Sequence, residues 1–284
     1  MELIEPEVEL LSELDITPES HIARCARVCY GREHKEPNQE ADKKLVEGLI
    51  SRGHLSMLRH ASMYLSHTED IFQIATHIAN SCYWNYDVLR GYASTNLQEF
   101  TQSGVDKEQV VTLIGNKQFL EDCAKHPRLF ELYRLTFCIT TQISTSRELN
   151  RVSPNNIAER STRFCSAKGG LAICRPWWIT SLIDDIAVNA LSYYKIACEA
   201  EKTYMTLLLR GMKPEDARGV LPLDTATKVI YTYSVQEWQH ILDLRLYDKT
   251  GKAHPNCHVV MQMVKDQINS FANEHNIDYQ VNYP

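Results

Sequence analysis

The sequence predicts an α+β fold in one domain spanning residues 1–284, on three observations. Long stretches carry apolar residues at helical spacing. Short β-branched and aromatic runs stand isolated between them. No βαβ alternation, repeat or long linker divides the chain.

Thr17-Pro18-Glu19 marks the first helix, because Thr accepts a main-chain N–H at the N-cap and Pro is tolerated at the first position. Ile22, Cys25, Val28 and Cys29 continue it at a spacing of three to four. A second helix over about 39–52 aligns Leu45, Leu49 and Ile50 and stops at Gly53. Residues 61–67 alternate as a strand does, and 70–80 return to helical periodicity. The stretch 106–135 reads as mostly helical with a break at Pro127, and 134–144, rich in Thr, Ile and Phe, reads as a strand. The longest helical pattern runs over 179–210 and closes at Gly211. A short strand over 228–234 precedes helices over 238–246 and 255–274, joined by a polar turn holding Gly251.

With 44% hydrophobic and 23% charged residues, the chain has globular composition and length enough for a sizeable core. A net charge of −6 argues against a general nucleic-acid binder but leaves room for a pocket with a few local arginines. The acidic N-terminus lacks the pattern of a signal peptide, and no apolar run reaches the ~18 residues of a bilayer span. The nine cysteines are scattered singly, which fits reduced core thiols and a cytoplasmic location with no membrane partner.

Glycine-rich nucleotide loops, the Gly-x-Ser-x-Gly elbow and His-Glu-x-x-His are all missing. Cys25 and Cys29 share a helix face, where packing explains the spacing. His254, Cys257 and His258 approach ligand spacing, with His240 as a conceivable fourth, but without a second cysteine pair no metal site is assigned. Arginine placement is the distinctive feature. Arg147, Arg151, Arg160 and Arg163 lie close together among Glu148, Glu159, Ser153, Ser161, Asn150, Asn155 and Asn156. A guanidinium fork binds phosphate two-pronged, and Ser or main-chain N–H groups complete such a site; a solvated charged loop has the same composition.

The run Arg151-Val-Ser-Pro-Asn-Asn-Ile-Ala-Glu-Arg-Ser-Thr-Arg-Phe164 resembles the signature Arg-His-Arg-x-x-Ser-x-Asn/Ser-Glu/Gln-x-Ser-x-Arg-Tyr of flavin-dependent thymidylate synthases. Further segments follow in family order. Ala26-Arg27-Val-Cys29-Tyr30, His54 to His60 and Arg147-Glu148-Leu149 precede or adjoin the signature. Ala217-Arg218-Gly-Val-Leu-Pro222, Glu237-Trp238, Leu244-Arg245 and Ala253-His254-Pro255 follow it, so the likeness spans about residues 23–270.

That resemblance implies an α+β fold with an antiparallel sheet and long helices, a homotetramer with active sites between subunits, and reductive methylation of dUMP to dTMP. Methylenetetrahydrofolate would supply the carbon, and FAD reduced by NADPH the hydride. It assigns dUMP binding to Glu148, Arg151, Glu159, Ser161, Arg163, Arg218 and Arg245, with Arg245 also as the catalytic arginine beside the uracil. It assigns the FAD positions to His60, Arg151, Ser153, Glu159, Ser234, Gln236 and His240. The flavin side departs from the family pattern. Val152 and Ser153 replace a His and an Arg, Asn156 replaces a Ser, and Ser234-Val235-Gln236 replaces Asn-Leu-Arg. These changes keep two alternatives open: a dUMP-binding homologue with altered chemistry, such as hydroxymethylation without flavin, or a non-catalytic nucleotide-binding protein.

Overall fold

The computed structural model describes residues 1–32, 38–66, 81–103, 112–152, 155–163, 170–179 and 185–282. The strands are β1 (Glu2–Ile4), β2 (Glu7–Leu10), β3 (Ser62–Ser66), β4 (Asn85–Asp87), β5 (Tyr92–Asn96), β6 (Thr112–Ile114), β7 (Arg134–Gln142), β8 (Ile157–Glu159), β9 (Ala172–Cys174) and β10 (Ala226–Ser234). The helices are α1 (Pro18–Cys29), α2 (Gln39–Ser51), α3 (Leu97–Gln102), α4 (Asn116–Lys125), α5 (Ile143–Leu149), α6 (Asp185–Leu209), α7 (Pro214–Ala217), α8 (Val235–Arg245) and α9 (Pro255–Glu274).

Two antiparallel four-stranded sheets, β2-β7-β10-β8 and β4-β5-β3-β6, stand beside a parallel pair, β1 and β9. The fold is therefore mixed helix and sheet with antiparallel sheets. Local chemistry sets the helix ends as the sequence leads one to expect. Thr17 Oγ1 accepts the Ser20 N–H, Gly53 and Gly211 take positive φ just beyond α2 and α6, and α9 covers 255–274.

The stretch 106–135 departs from its helical expectation. Residues 112–114 are a strand paired with β3, α4 is short, and residues 127–132 form a 3₁₀ turn. Pairing with a neighbouring strand outweighs local helical spacing there. The strand expected to reach residue 144 ends at Gln142, because the Ile143 and Ser144 N–H groups bond the Thr225 and Leu223 carbonyls and open α5. The helix expected over 70–80 lies outside the described residues.

All nine residues of β7 are buried, so both faces of its sheet are covered. Leu135, Phe137 and Ile139 join Trp238, Ile241, Val260 and Val264 in the main core beneath α8 and α9. The alternate residues face α1 and are partly polar, as the two-residue period of a strand dictates. There His21 Nε2 bonds Thr136 Oγ1 (3.1 Å), Thr136 bonds Thr232 across the strand pair (2.8 Å), and Thr232 bonds His60 Nδ1 (2.9 Å). Arg134, whose side chain has 0% exposure, donates to the Thr232 carbonyl and lies 3.6 Å from Glu237. Burial, then Arg134 and Arg59, pushes the His60 imidazole down to about 3. The second sheet is tied on by Tyr64, whose ring stacks on Phe119 (4.3 Å) and whose hydroxyl accepts the Arg134 N–H.

Candidate functional site

Helix α5 organises the polar surface. Its N-terminus is pinned to the 223–225 turn, and its inner residues Thr145, Ser146 and Leu149 are buried. The helical period then sends Ile143 and Arg147 toward one cleft, and Ser144, Glu148 and the following Arg151 toward another. Arg147 borders both.

The first cleft, of about 580 Å³, is bordered by Arg147, Glu159, Arg160, Ser161, Arg163 and Arg218, with Gly219, Leu221, Pro222 and Leu223 along another side. Its floor is built by hydrogen bonding that continues β8: Arg160 N–H donates to the Lys228 carbonyl and Ser161 N–H to the Cys29 carbonyl. The Ser161 hydroxyl accepts the Arg163 N–H (3.2 Å). Glu215 brings two arginines together. Its carboxylate accepts from Arg163 (3.3 Å), while its main-chain carbonyl accepts from Arg218 Nε (3.1 Å). Arg218 Nη1 also donates to Thr162 Oγ1 (2.8 Å). Among the described residues, Arg147 and Arg160 border this cleft without a carboxylate partner. An open cleft with several guanidinium groups attracts a small anion. Glu159 has a supporting part: its carboxylate accepts from Ser146 (2.7 Å), Asn150 (3.2 Å) and Thr227 (3.3 Å), tying α5 to the sheet.

The second cleft, of about 540 Å³, gathers Glu148, Arg151, Arg245 and Lys252 around Arg147. Glu148 Oε1 accepts the His254 N–H (3.3 Å) and lies 4.0 Å from Arg245, whose Nε is buried without a hydrogen-bond partner among the described residues. Cys257, fully buried, lies behind Glu148; burial and then that carboxylate raise its thiol above the usual range, so it stays protonated.

The seven positions assigned to dUMP thus fall into two groups. Glu159, Ser161, Arg163 and Arg218 border one cleft, while Glu148, Arg151 and Arg245 border the other. The positions assigned to FAD are more scattered. His60 is wholly buried in the polar layer against Thr232. Ser234 caps α8, its hydroxyl accepting the Glu237 N–H while Glu237 accepts the Ser234 N–H. Gln236 and His240 border a third, small cavity with Asn85, Val152, Tyr233 and Glu237. Ser153 lies outside the described residues. Arg59, which holds Gln98, the Asn155 carbonyl and the Tyr83 ring, is engaged within the fold.

At the small cavity Glu237 Oε1 and Asn85 Nδ2 are buried without hydrogen-bond partners among the described residues, and the buried Tyr233 hydroxyl lies by the Asn156 main chain. These groups fit the polar edge of a flavin ring. They do not fit its pyrophosphate, because no arginine or lysine borders the cavity.

The motif comparison missed Arg147 as a link between clefts, Glu215 as the residue joining Arg163 to Arg218, and the trio at the small cavity. Arg147 carried a signal, a charge standing in a helix turn between two motifs. The others had none at the level of spacing. The candidate metal ligands are separated: His254 caps α9, His258 bonds Asp248 (3.0 Å), and His240 lies at the small cavity. No group of three His, Cys, Asp or Glu side chains suited to a metal occurs among the described residues. No described helix is long and apolar enough to cross a membrane.

Fold and clefts together define an α+β protein that gathers arginines from α5, the loop after β8 and the segment after α7 around an open cleft. The model of the thymidylate synthase complementing protein family matches residues 9–71 and 64–272, and the chain belongs to that family. A flavin-dependent thymidylate synthase of Synechocystis sp. is 27% identical over 148 residues, 48% of this chain and 69% of that protein. A structure of the UMP/dUMP methylase PolB from Streptomyces cacaoi bound with 5-Br dUMP is similar over 100% of both chains, at 17% identity and a TM-score of 0.47. A second, bound with 5-Br UMP, is similar over 98% of this chain and 94% of that one, at 15% identity and a TM-score of 0.48.

Proposed function

We propose that this chain is a flavin-dependent thymidylate synthase-like methyltransferase that converts dUMP to dTMP. The observation that carries the reading is the first cleft, where Ser161, Arg163 and Arg218 converge and Arg147 and Arg160 border without carboxylate partners. Family membership and the Synechocystis relative support the reaction class.

Arg163 and Arg218 bind the 5′-phosphate, with the Ser161 hydroxyl completing its hydrogen bonds. Arg245 and Arg151 face the base from the second cleft, where a guanidinium stabilises negative charge developing on the pyrimidine and so raises the nucleophilicity of C5. Glu148 orients Arg245, and Glu159 holds α5 in place between the clefts. Methylenetetrahydrofolate supplies the carbon, leaving tetrahydrofolate. FAD, were it held here with NADPH as reductant, would supply the hydride that completes the methyl group. His60, Ser153, Ser234, Gln236 and His240 are the further positions that the resemblance assigns to the flavin. The protein works in the cytoplasm as a homotetramer whose subunits complete one another's sites.

Calorimetry with dUMP, followed by assay of dTMP from dUMP, methylenetetrahydrofolate, NADPH and added FAD, tests the reading. We expect dUMP binding and NADPH-dependent product, with dUMP affinity lost in the Arg163→Ala/Arg218→Ala double variant. Unchanged affinity in that variant removes the cleft assignment, and absence of product with saturating FAD removes the reaction. Release of 5-hydroxymethyl-dUMP without NADPH identifies the alternative favoured by the cavity's lack of arginine.

A further inference from the structure

The two clefts meet different charge demands. On the reading above, dUMP brings its phosphate to the first cleft and its uracil, uncharged at neutral pH, to the second. Yet among the described residues the second cleft is bordered by four cationic side chains, Arg147, Arg151, Arg245 and Lys252, against one carboxylate, Glu148. That carboxylate is engaged by the His254 N–H and by Arg245. The guanidinium groups of Arg147 and Arg151 have neither hydrogen bond nor ion pair among the described residues. Arg245 and Arg151 serve the base, so the charges of Arg147 and Lys252 exceed what the nucleotide needs. Both side chains are exposed, and unneutralised cations bordering an open cleft attract an anion.

Lys252 stands on a braced turn between α8 and α9. Asp248, at φ 57°, accepts the Ala253 N–H (2.8 Å) and bonds His258 Nε2 (3.0 Å) through the same Oδ1. Its carbonyl accepts the Gly251 N–H (3.2 Å), and Lys249 is tied to Asp243 (2.7 Å). Gly251, beside Lys252, has φ 152°, a conformation that residues with a Cβ rarely adopt. The Lys252 charge also reaches Asp248, within its own turn.

We propose that Arg147 and Lys252 form a second anion subsite, at the second cleft, that holds the charged end of a co-substrate instead of the nucleotide's phosphate. The proposal rests on the assignment of dUMP to the two clefts. The group bound is a carboxylate or phosphate. Two of the reaction's partners carry one: the glutamate tail of the folate, and the 2′-phosphate that distinguishes NADPH from NADH.

Paired ligands differing only in that charge test the subsite. Titrate the full chain calorimetrically, with FAD present and without dUMP, using tetrahydrofolate as mono- and triglutamate, then NADPH and NADH. In one pair the more highly charged ligand should bind about fivefold tighter, as an exposed ion pair predicts. That ratio should collapse toward one in Lys252→Ala and in Arg147→Ala, and return in Lys252→Arg. A purely structural lysine would leave it unchanged. Preference in the folate pair identifies the glutamate tail as occupant; preference in the NADPH pair identifies the 2′-phosphate. The proposal is overturned if neither pair shows a preference, or if the preference persists in both alanine variants. Arg218→Ala should weaken dUMP and leave the ratio as it was. A chain that shows the ratio but binds no dUMP loses the nucleotide assignment, whereas one that binds dUMP without the ratio loses only the second subsite.

Discussion

Arg134 and Arg218 are the same residue in opposite settings. Arg134 has no exposed side-chain surface; Nη2 donates to the Thr232 carbonyl, Nη1 lies 3.6 Å from Glu237, and neither Nε nor Nη1 has a hydrogen-bond partner among the described residues. Arg218 is exposed and, among the described residues, donates to Thr162 and a main-chain carbonyl while bordering the first cleft. The surroundings of the two arginines follow the same division. In the layer between the sheet and α1, the groups of His21, Thr136, Thr232 and His60 are largely spent on one another. In the first cleft, Arg147 and Arg160 have no carboxylate partner among the described residues. Arginine charge enclosed beside a carboxylate serves the fold, whereas arginine charge open to solvent is available to a ligand.

The sharpest way to break this division is Arg134→Ala. Removing one member of a buried ion pair should cost about 3–5 kcal/mol, read as a lower urea midpoint. A loss below about 1 kcal/mol would mean that the buried arginine is not a structural partner at all. Arg218→Ala should do the reverse. Its effect should appear as about 1.5–3 kcal/mol of dUMP affinity, roughly ten- to hundredfold, with an unfolding midpoint close to the parent's. Affinity at the cleft should also fall with added salt, because the charges are open to solvent.

Acid should separate the regions next. Burial holds the His60 imidazole down at about 3 in the folded chain, against an ordinary value near 6.5, so between these values the unfolded state binds more protons. Stability from this group is complete above pH 6.5 and is lost as pH falls toward 3. His21 is lowered in the same sense, by burial and then by Arg24 and His60. Glu13, raised chiefly by burial, acts with the opposite sign; its contribution is present at low pH and lost as pH rises through its folded value. Two histidines against one carboxylate give a melting temperature that falls from pH 6.5 toward pH 4. His60→Gln should flatten that slope, and a flat profile in the parent protein would rule out the neutral buried histidines. The smallest effect belongs to Ser161→Ala, which removes a neutral hydroxyl from the cleft. We expect about 0.5–1.5 kcal/mol in dUMP binding and no change in melting.

Sequence reading did well where the signal is local. The Thr17 cap, the ends of α2 at Gly53 and of α6 at Gly211, and the full extent of α9 follow from capping and periodicity within a few residues. Short strands such as β4, β8 and β9 were invisible, because three residues carry no period and form only where a partner strand offers its edge. The arginine motif was legible as a set, since charge and spacing survive in one dimension. Its division between two clefts was not, because that depends on which way each turn of α5 points.

Sequence alone thus determined the helix ends, the arginine set and the family they resemble, since each rests on contacts or spacings along one stretch of chain. The tertiary structure decided which polar groups are spent and which are left over. Ser234-x-x-Glu237 is a capping-box spacing present in the chain's order, but only the fold leaves the second Glu237 oxygen, unused by the cap, beside a cavity. A hydrogen bond needs its two atoms within about 3 Å, and only folding brings Asn85, Tyr233 and Glu237 around the same small space.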